Sequence, residues 1–140
     1  MKPSRTHLLA ILLAASSCHA ADIAPAALSK KLASMAGLSA RDCGSVPQGA
    51  DRSAAIACAK DATTSGTAYR LAVQLEGTDS FIWQGAVRDG DGKFWVTFYE
   101  ADLSGGPGAG PTMSVLLCSE ILFMVKGSDA MECQPILGEP

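Results

Sequence analysis

The stretch "SFIWQGAVRDGDGKFWVTFYE", Ser80 to Glu100, decides how the rest of the chain is arranged. Two runs rich in aromatic and β-branched residues flank a cluster of aspartate and glycine, Asp89 to Gly92. Such flanks suit a pleated, buried surface, and Asp-Gly suits the backbone of a tight turn, so the stretch reads as a β-hairpin. Pairing Val87 with Phe94 sets Gly85 opposite Val96 and Trp83 opposite Phe98, all on one face. The same register places Ala86 with Trp95, Gln84 with Thr97 and Ile82 with Tyr99 on the other. A slip of one residue mixes the two sets, because strand side chains alternate with a period of two.

Upstream, "YRLAVQLEG" alternates: Tyr69, Leu71, Val73 and Leu75 to one side, Arg70, Gln74 and Glu76 to the other. It reads as a strand that joins the hairpin with Leu75 opposite Phe81, through a three-residue loop of Gly77, Thr78 and Asp79. Before it, Asp51 can cap a helix over "RSAAIACAKDATT", whose Ala55, Cys58, Ala59 and Ala62 share a face of small side chains. That face is expected to nestle on the bulky set Phe81, Trp83, Phe94, Val96 and Phe98, since facing layers of large and small residues fill space without voids.

A first helix is expected over "APAALSKKLASMA", with Leu28, Leu32 and Met35 on one face, Pro25 in its first turn and Gly37 at its end. "DCGSVPQGA", Asp42 to Ala50, reads as turns. Beyond the hairpin, "GGPGAGP" is a flexible connection, and "TMSVLLC" and "EILFMVK" read as two more strands. The fold class is α+β: one or two N-terminal helices packed on an antiparallel sheet of about four or five strands, with two disulfides.

The chain opens with "MKPSRTH", then the short apolar run "LLAILLAA", then small residues up to Ala21. This is the order of a secretory signal, and the run is too short to remain as a spanning helix. Two processing routes stay open. A peptidase cut after Ala20 discards Cys18; alternatively "AASSC" resembles a permissive bacterial lipobox, in which Cys18 is lipidated and begins the mature chain, although Ala15 stands where such signals usually carry Leu. The expected organisation is a signal peptide over 1–20, or 1–17 in a lipoprotein, an N-terminal helix or tether over 21–41, and one disulfide-bonded domain over 42–140. The expected location is the periplasm, either soluble or lipid-anchored.

In an oxidising compartment Cys43, Cys58, Cys118 and Cys133 can pair. Four cysteines allow three connectivities. Cys43–Cys58 and Cys118–Cys133 are favoured, because an apolar sheet lies between the two pairs and each can close locally. Closing a loop of that length stabilises a fold by about 3 kcal/mol in the chain-entropy picture.

Loss of the leader leaves nine basic and fourteen acidic side chains, a net charge of −5 with no basic cluster. That argues against nucleic acid and against electrostatic adhesion to anionic lipid; a membrane is reached only through Cys18. His19 is the only histidine that processing can leave, which disfavours Ser-His-Asp, Cys-His and histidine–metal chemistry. No Cys-x-x-Cys spacing offers a zinc site. "DGDGKFWVTFYE" sets Asp89, Asp91 and Glu100 at the first, third and twelfth places of an EF-hand-like loop, but Phe94 holds the sixth place, which needs glycine. No cofactor is expected.

The expected binding surface is the hairpin face carrying Ile82, Trp95 and Tyr99, ringed by Gln84, Thr97 and Arg70. Its competitor is simple coverage of that face by the first helix. The expected function is an exported bacterial envelope protein acting as a small non-catalytic binding module, of inhibitor or accessory type, on an envelope partner. The alternatives are a hydrolase using carboxylates such as Asp79, Asp89, Asp91, Glu100 and Asp102, or a structural envelope lipoprotein.

Overall fold

The computed structural model describes residues 24–102 and 104–136. The expected signal segment, with Cys18 and His19, lies outside the described residues. Two helices, a five-stranded mixed sheet and a two-stranded sheet make up the fold. In chain order the elements are α1 (Ala26–Ala36), β1 (Arg41–Val46), α2 (Ser53–Thr64), β2 (Tyr69–Leu75), β3 (Ser80–Arg88), β4 (Phe94–Asp102), β5 (Thr112–Cys118), β6 (Glu120–Phe123) and β7 (Met131–Gln134). The large sheet runs β1-β2-β3-β4-β5, and β6 pairs with β7. Both disulfides, Cys43–Cys58 and Cys118–Cys133, join the expected partners.

The hairpin of β3 and β4 forms where expected, but one residue out of the expected register. Val87 pairs with Trp95, Ala86 with Val96, Gly85 with Thr97, Gln84 with Phe98 and Trp83 with Tyr99. The cause is the turn. Asp89 pairs with Lys93 through its backbone N–H, Gly92 closes the turn onto the Asp89 carbonyl, and Gly92 sits at φ +84°. The loop therefore holds three residues, Gly90 to Gly92, with glycine in the left-handed position of a three-residue hairpin. The Asp89 carboxylate accepts the N–H groups of Asp91 and Lys93 and the Trp95 indole N–H at 2.8 Å. These contacts fix the longer loop, and the extra residue turns β4 over relative to β3.

The second expected register slips likewise: Leu75 lies opposite Ile82, not Phe81, and the β2–β3 connection spans four residues, 76–79. The bulky set is consequently divided. Phe94, Val96 and Phe98 face the layer of α2 with Tyr69, Leu71 and Val73, while Phe81 and Trp83 face α1 with Val87, Trp95 and Tyr99. Both faces of the sheet are covered over its middle, so β2, β3 and β4 bury side chains in both directions.

On one face α1 lays Leu28, Leu32 and Ala36 onto Ala72, Trp83 and Val87, with Met35 half-buried beside them. Pro25 stands at its N-cap and Gly37, at φ +87°, ends it. Leu32 needs the notch at Gly85: a Cβ there would come within 2.6 Å of Leu32 Cδ2 and 2.3 Å of Thr97 Oγ1. On the other face α2 buries Ile56, Ala59 and Ala62. Arg52, not Asp51, is its N-cap residue; the Asp51 carboxylate accepts the backbone N–H of Ser53 just inside the helix.

By composition Asp42 to Ala50 reads as turns, yet Arg41–Val46 is an edge strand parallel to β2. Parallel neighbours require a crossover, and α2 supplies it. The β6–β7 hairpin lies over the α2 side of the main sheet and is fastened there by Gln84. Its buried amide accepts the N–H groups of Ala130 and Met131 and donates to the Met131 carbonyl. Arg52 holds the β6–β7 connection from the other side, donating to the carbonyls of Val125 and Gly127.

Candidate functional site

The residues expected to form one aromatic patch are split between the two faces of the sheet. Ile82 and Gln84 point to the α2 side, where Ile82 is half-buried and Gln84 is committed to the backbone of Ala130 and Met131. Trp95, Thr97 and Tyr99 point to the α1 side, where Thr97 is wholly buried and Tyr99 nearly so. Trp95 is half-buried, its indole spent on Asp89. Arg70 pairs with Asp42 across β1 and β2 at 2.6 Å. The one-residue slip separates the set, and α1 covers most of what remains.

The carboxylates considered for hydrolysis are structural where their surroundings can be read. At Asp89 partial desolvation favours the neutral acid, but the bonds from Trp95, Lys93 and Asp91 outweigh it and hold the carboxyl below its usual range. Hydrogen bonds from Ser104 lower Asp102 in the same direction. A general acid needs the opposite shift. Among the described residues no cluster of histidine, cysteine and carboxylate side chains is arranged to hold a metal ion.

What the fold leaves open is the far edge of the sheet. β5 pairs with β4 on one side only, and among the described elements none pairs with its other side. Six of its seven residues are exposed, with Met113 at 36%, Val115 at 37%, Leu116 at 46% and Leu117 at 37%. From Thr112 to Cys118 it carries no charge and no proline. Met113, Val115 and Leu117 stand beside Tyr99, Thr97 and Trp95, on the face where α1 lies over β2 and β3 and stops short of the edge. Ser114 and Leu116 stand beside Phe98 and Val96 on the other face. There a groove of about 340 Å³ is bounded by Phe98, Leu116, Met131 and Glu132.

β5 is held in this place at its end. Cys118 is buried and bonded to Cys133 of β7, so the strand cannot slide along β4 without breaking a covalent link. Its other end follows "GGPGAGP", whose glycines at 105 and 108 have positive φ, so the chain reaches the edge through a loop free to turn sharply. A second concavity, about 440 Å³, lies between α2 and β6 and is bordered by Lys60, Tyr69, Phe94, Glu120 and Phe123. Burial raises the Tyr69 phenol above its ordinary range, with Thr63 pulling the other way.

From its residues β5 reads as a strand, but its exposure does not show in them. Strand order is not visible in a local pattern, so an uncharged apolar run reads the same at the centre of a sheet as at its edge. The one available signal was "TMSVLLC" being the last long strand, after a flexible loop. Comparison of the chain with protein-family models, with curated proteins and with solved structures returns no match.

Proposed function

We propose that the protein is an exported envelope module that works by binding rather than by catalysis, and that β5 is its working surface. The observation that carries this reading is an uncharged, exposed, apolar edge strand in a fold that protects its other edge. Soluble proteins ordinarily blunt such edges with charge, proline or a bulge, because unpaired strand N–H and C=O groups recruit other chains. An edge kept open in this way is suited to strand addition, in which backbone bonds give affinity and alternate side chains give selectivity. The basic, apolar and small-residue leader and the paired cysteines support an oxidising location outside the cytosol.

The test is a photo-crosslinking amino acid placed at Val115, and at Lys60 as a comparison, in cells making the full chain. Protein adducts are expected from position 115 and not from position 60. Equal or absent adducts at position 115 would rule the reading out. The hydrolase alternative has weaker support, since Asp89 and Asp102 are drawn towards the ionised form.

A further inference from the structure

We infer that the partner β5 is shaped for is a second copy of this chain, joined through an antiparallel β5–β5 seam about a twofold axis at Val115. The inference rests on the reading of β5 as the working surface. Only one antiparallel register lets all seven residues from Thr112 to Cys118 find partners in an identical strand. In that register Val115 faces Val115, Met113 faces Leu117, and Ser114 faces Leu116.

The side chains match in size as well as in number. On the α1 side Met113, Val115 and Leu117 of the two copies form one apolar row, flanked by the two α1 helices. On the opposite side the second copy's Leu116 comes to lie beside Ser114, whose neighbour on β4 is Phe98. Ser114 is small and pairs with Phe98, which lines a groove together with Leu116, Met131, Asp129 and Glu132, so a leucine from outside meets open space beside Phe98. The knob and the hole are two residues apart on the same face of the same strand, as a twofold interface demands: each copy must supply both.

Charge is consistent with this pairing. No ionisable side chain lies between Thr112 and Cys118, so the twofold brings no like charges into register on β5. The disulfide at Cys118 keeps both copies in the same register on their own sheets. A seam of two short strands is small against the roughly 800 Å² per partner of a typical stable complex, so affinity on the order of micromolar is expected.

Sedimentation of the mature, oxidised protein should show a dimer that dissociates on dilution, and Val115→Lys should weaken it at least about tenfold while leaving the melting curve in place. Antiparallel partners lie about 4.5–5.5 Å apart between Cα atoms, within disulfide reach. Val115→Cys should therefore oxidise to a covalent dimer of twice the chain mass. Met113→Cys, about four strand residues from its own copy, should not, whereas a mixture of Met113→Cys and Leu117→Cys chains should cross-link. A wild-type protein that stays monomeric at high concentration, or cross-linking equal at positions 113 and 115, would overturn the inference. Adducts from position 115 with a different protein, and none with this chain, would overturn it while leaving β5 as the working surface.

Discussion

At one edge of the main sheet, β1 carries Arg41 and Asp42, kinks between Asp42 and Ser45, and turns through Gly44 at φ +90°. Asp42 accepts the Gly44 N–H and pairs with Arg70, Arg41 pairs with Asp61, and Cys43 is bonded to α2. At the other edge, β5 is regular over seven residues, uncharged and exposed. The first edge has three of the devices that stop strands from recruiting strangers: a bulge, charges and a covering helix within reach. The second has none. The difference shows that protection here is local, placed one edge at a time, and that its absence on β5 is a property of seven particular residues.

The largest effect that can break this comparison comes from the disulfides. Each spans fifteen residues and ties one edge strand to the layer beneath it. Replacing either pair by serine should cost about 3 kcal/mol in denaturant unfolding. Amide exchange should quicken in β1 after Cys43→Ser with Cys58→Ser, and in β5 after Cys118→Ser with Cys133→Ser. Faster exchange at both edges from either single pair would mean that the edges are not independent.

Next comes Gly85→Ala, which tests the register that gives β5 its neighbours. The added methyl collides with Thr97 Oγ1 and Leu32, so a loss of about 1–3 kcal/mol is expected. Combining it with Leu32→Ala should cost less than the sum of the two single changes, because the second removes part of the first clash.

Asp89→Ala should cost about 1–2 kcal/mol at neutral pH by releasing the turn and the Trp95 indole. The Asp89 carboxyl titrates below its usual value in the folded chain. Its contribution is therefore complete above the unfolded carboxylate range of about pH 4 and is lost as pH falls through the lower folded value. The gap between wild type and Asp89→Ala should close on acidification; a constant gap would show that the carboxylate's charge is irrelevant to the turn.

The smallest effect is expected at the closed edge. The Asp42–Arg70 pair is half-exposed, so Asp42→Ala should change stability by less than about 1 kcal/mol. Its consequence is kinetic: with the charge and the Gly44 anchor gone, aggregation on prolonged incubation should rise, as measured by light scattering. An unchanged scattering trace would mean that the bulge alone protects β1.

Much of the architecture was readable from the residues, and the parts that were not share a physical reason. The faces of α1 and β2 and the hairpin at Asp89–Gly92 follow from local pattern, and of the three connectivities open to the cysteines the favoured one is found. The hairpin register does not, because β3 and β4 carry bulky apolar residues on both faces. Ile82 and Trp83, or Trp95 and Val96, are each acceptable in either direction, so alternation cannot choose between a two-residue and a three-residue loop. Only Gly92 in the left-handed region and Asp89 reaching Trp95 decide it. β1 was hidden by residues that normally mark turns, Gly44 and Pro47 among them, and is held as a strand by contacts from distant parts of the chain. The expected aromatic patch dissolved with the register, whereas the β5 edge needed the strand order, which only the assembled sheet contains.

The way the sulfurs are joined has a consequence for biosynthesis. Each cysteine of the described chain is bonded to the next one along, first with second and third with fourth, so the two covalent loops neither overlap nor nest. A polypeptide threaded amino-end first into an oxidising space and sealed as each thiol pair emerges reaches these linkages by default. On the proposed export, with Cys18 removed or acylated, maturation would call for an oxidant but no reshuffling catalyst, and a host with only the former should produce the chain correctly bridged.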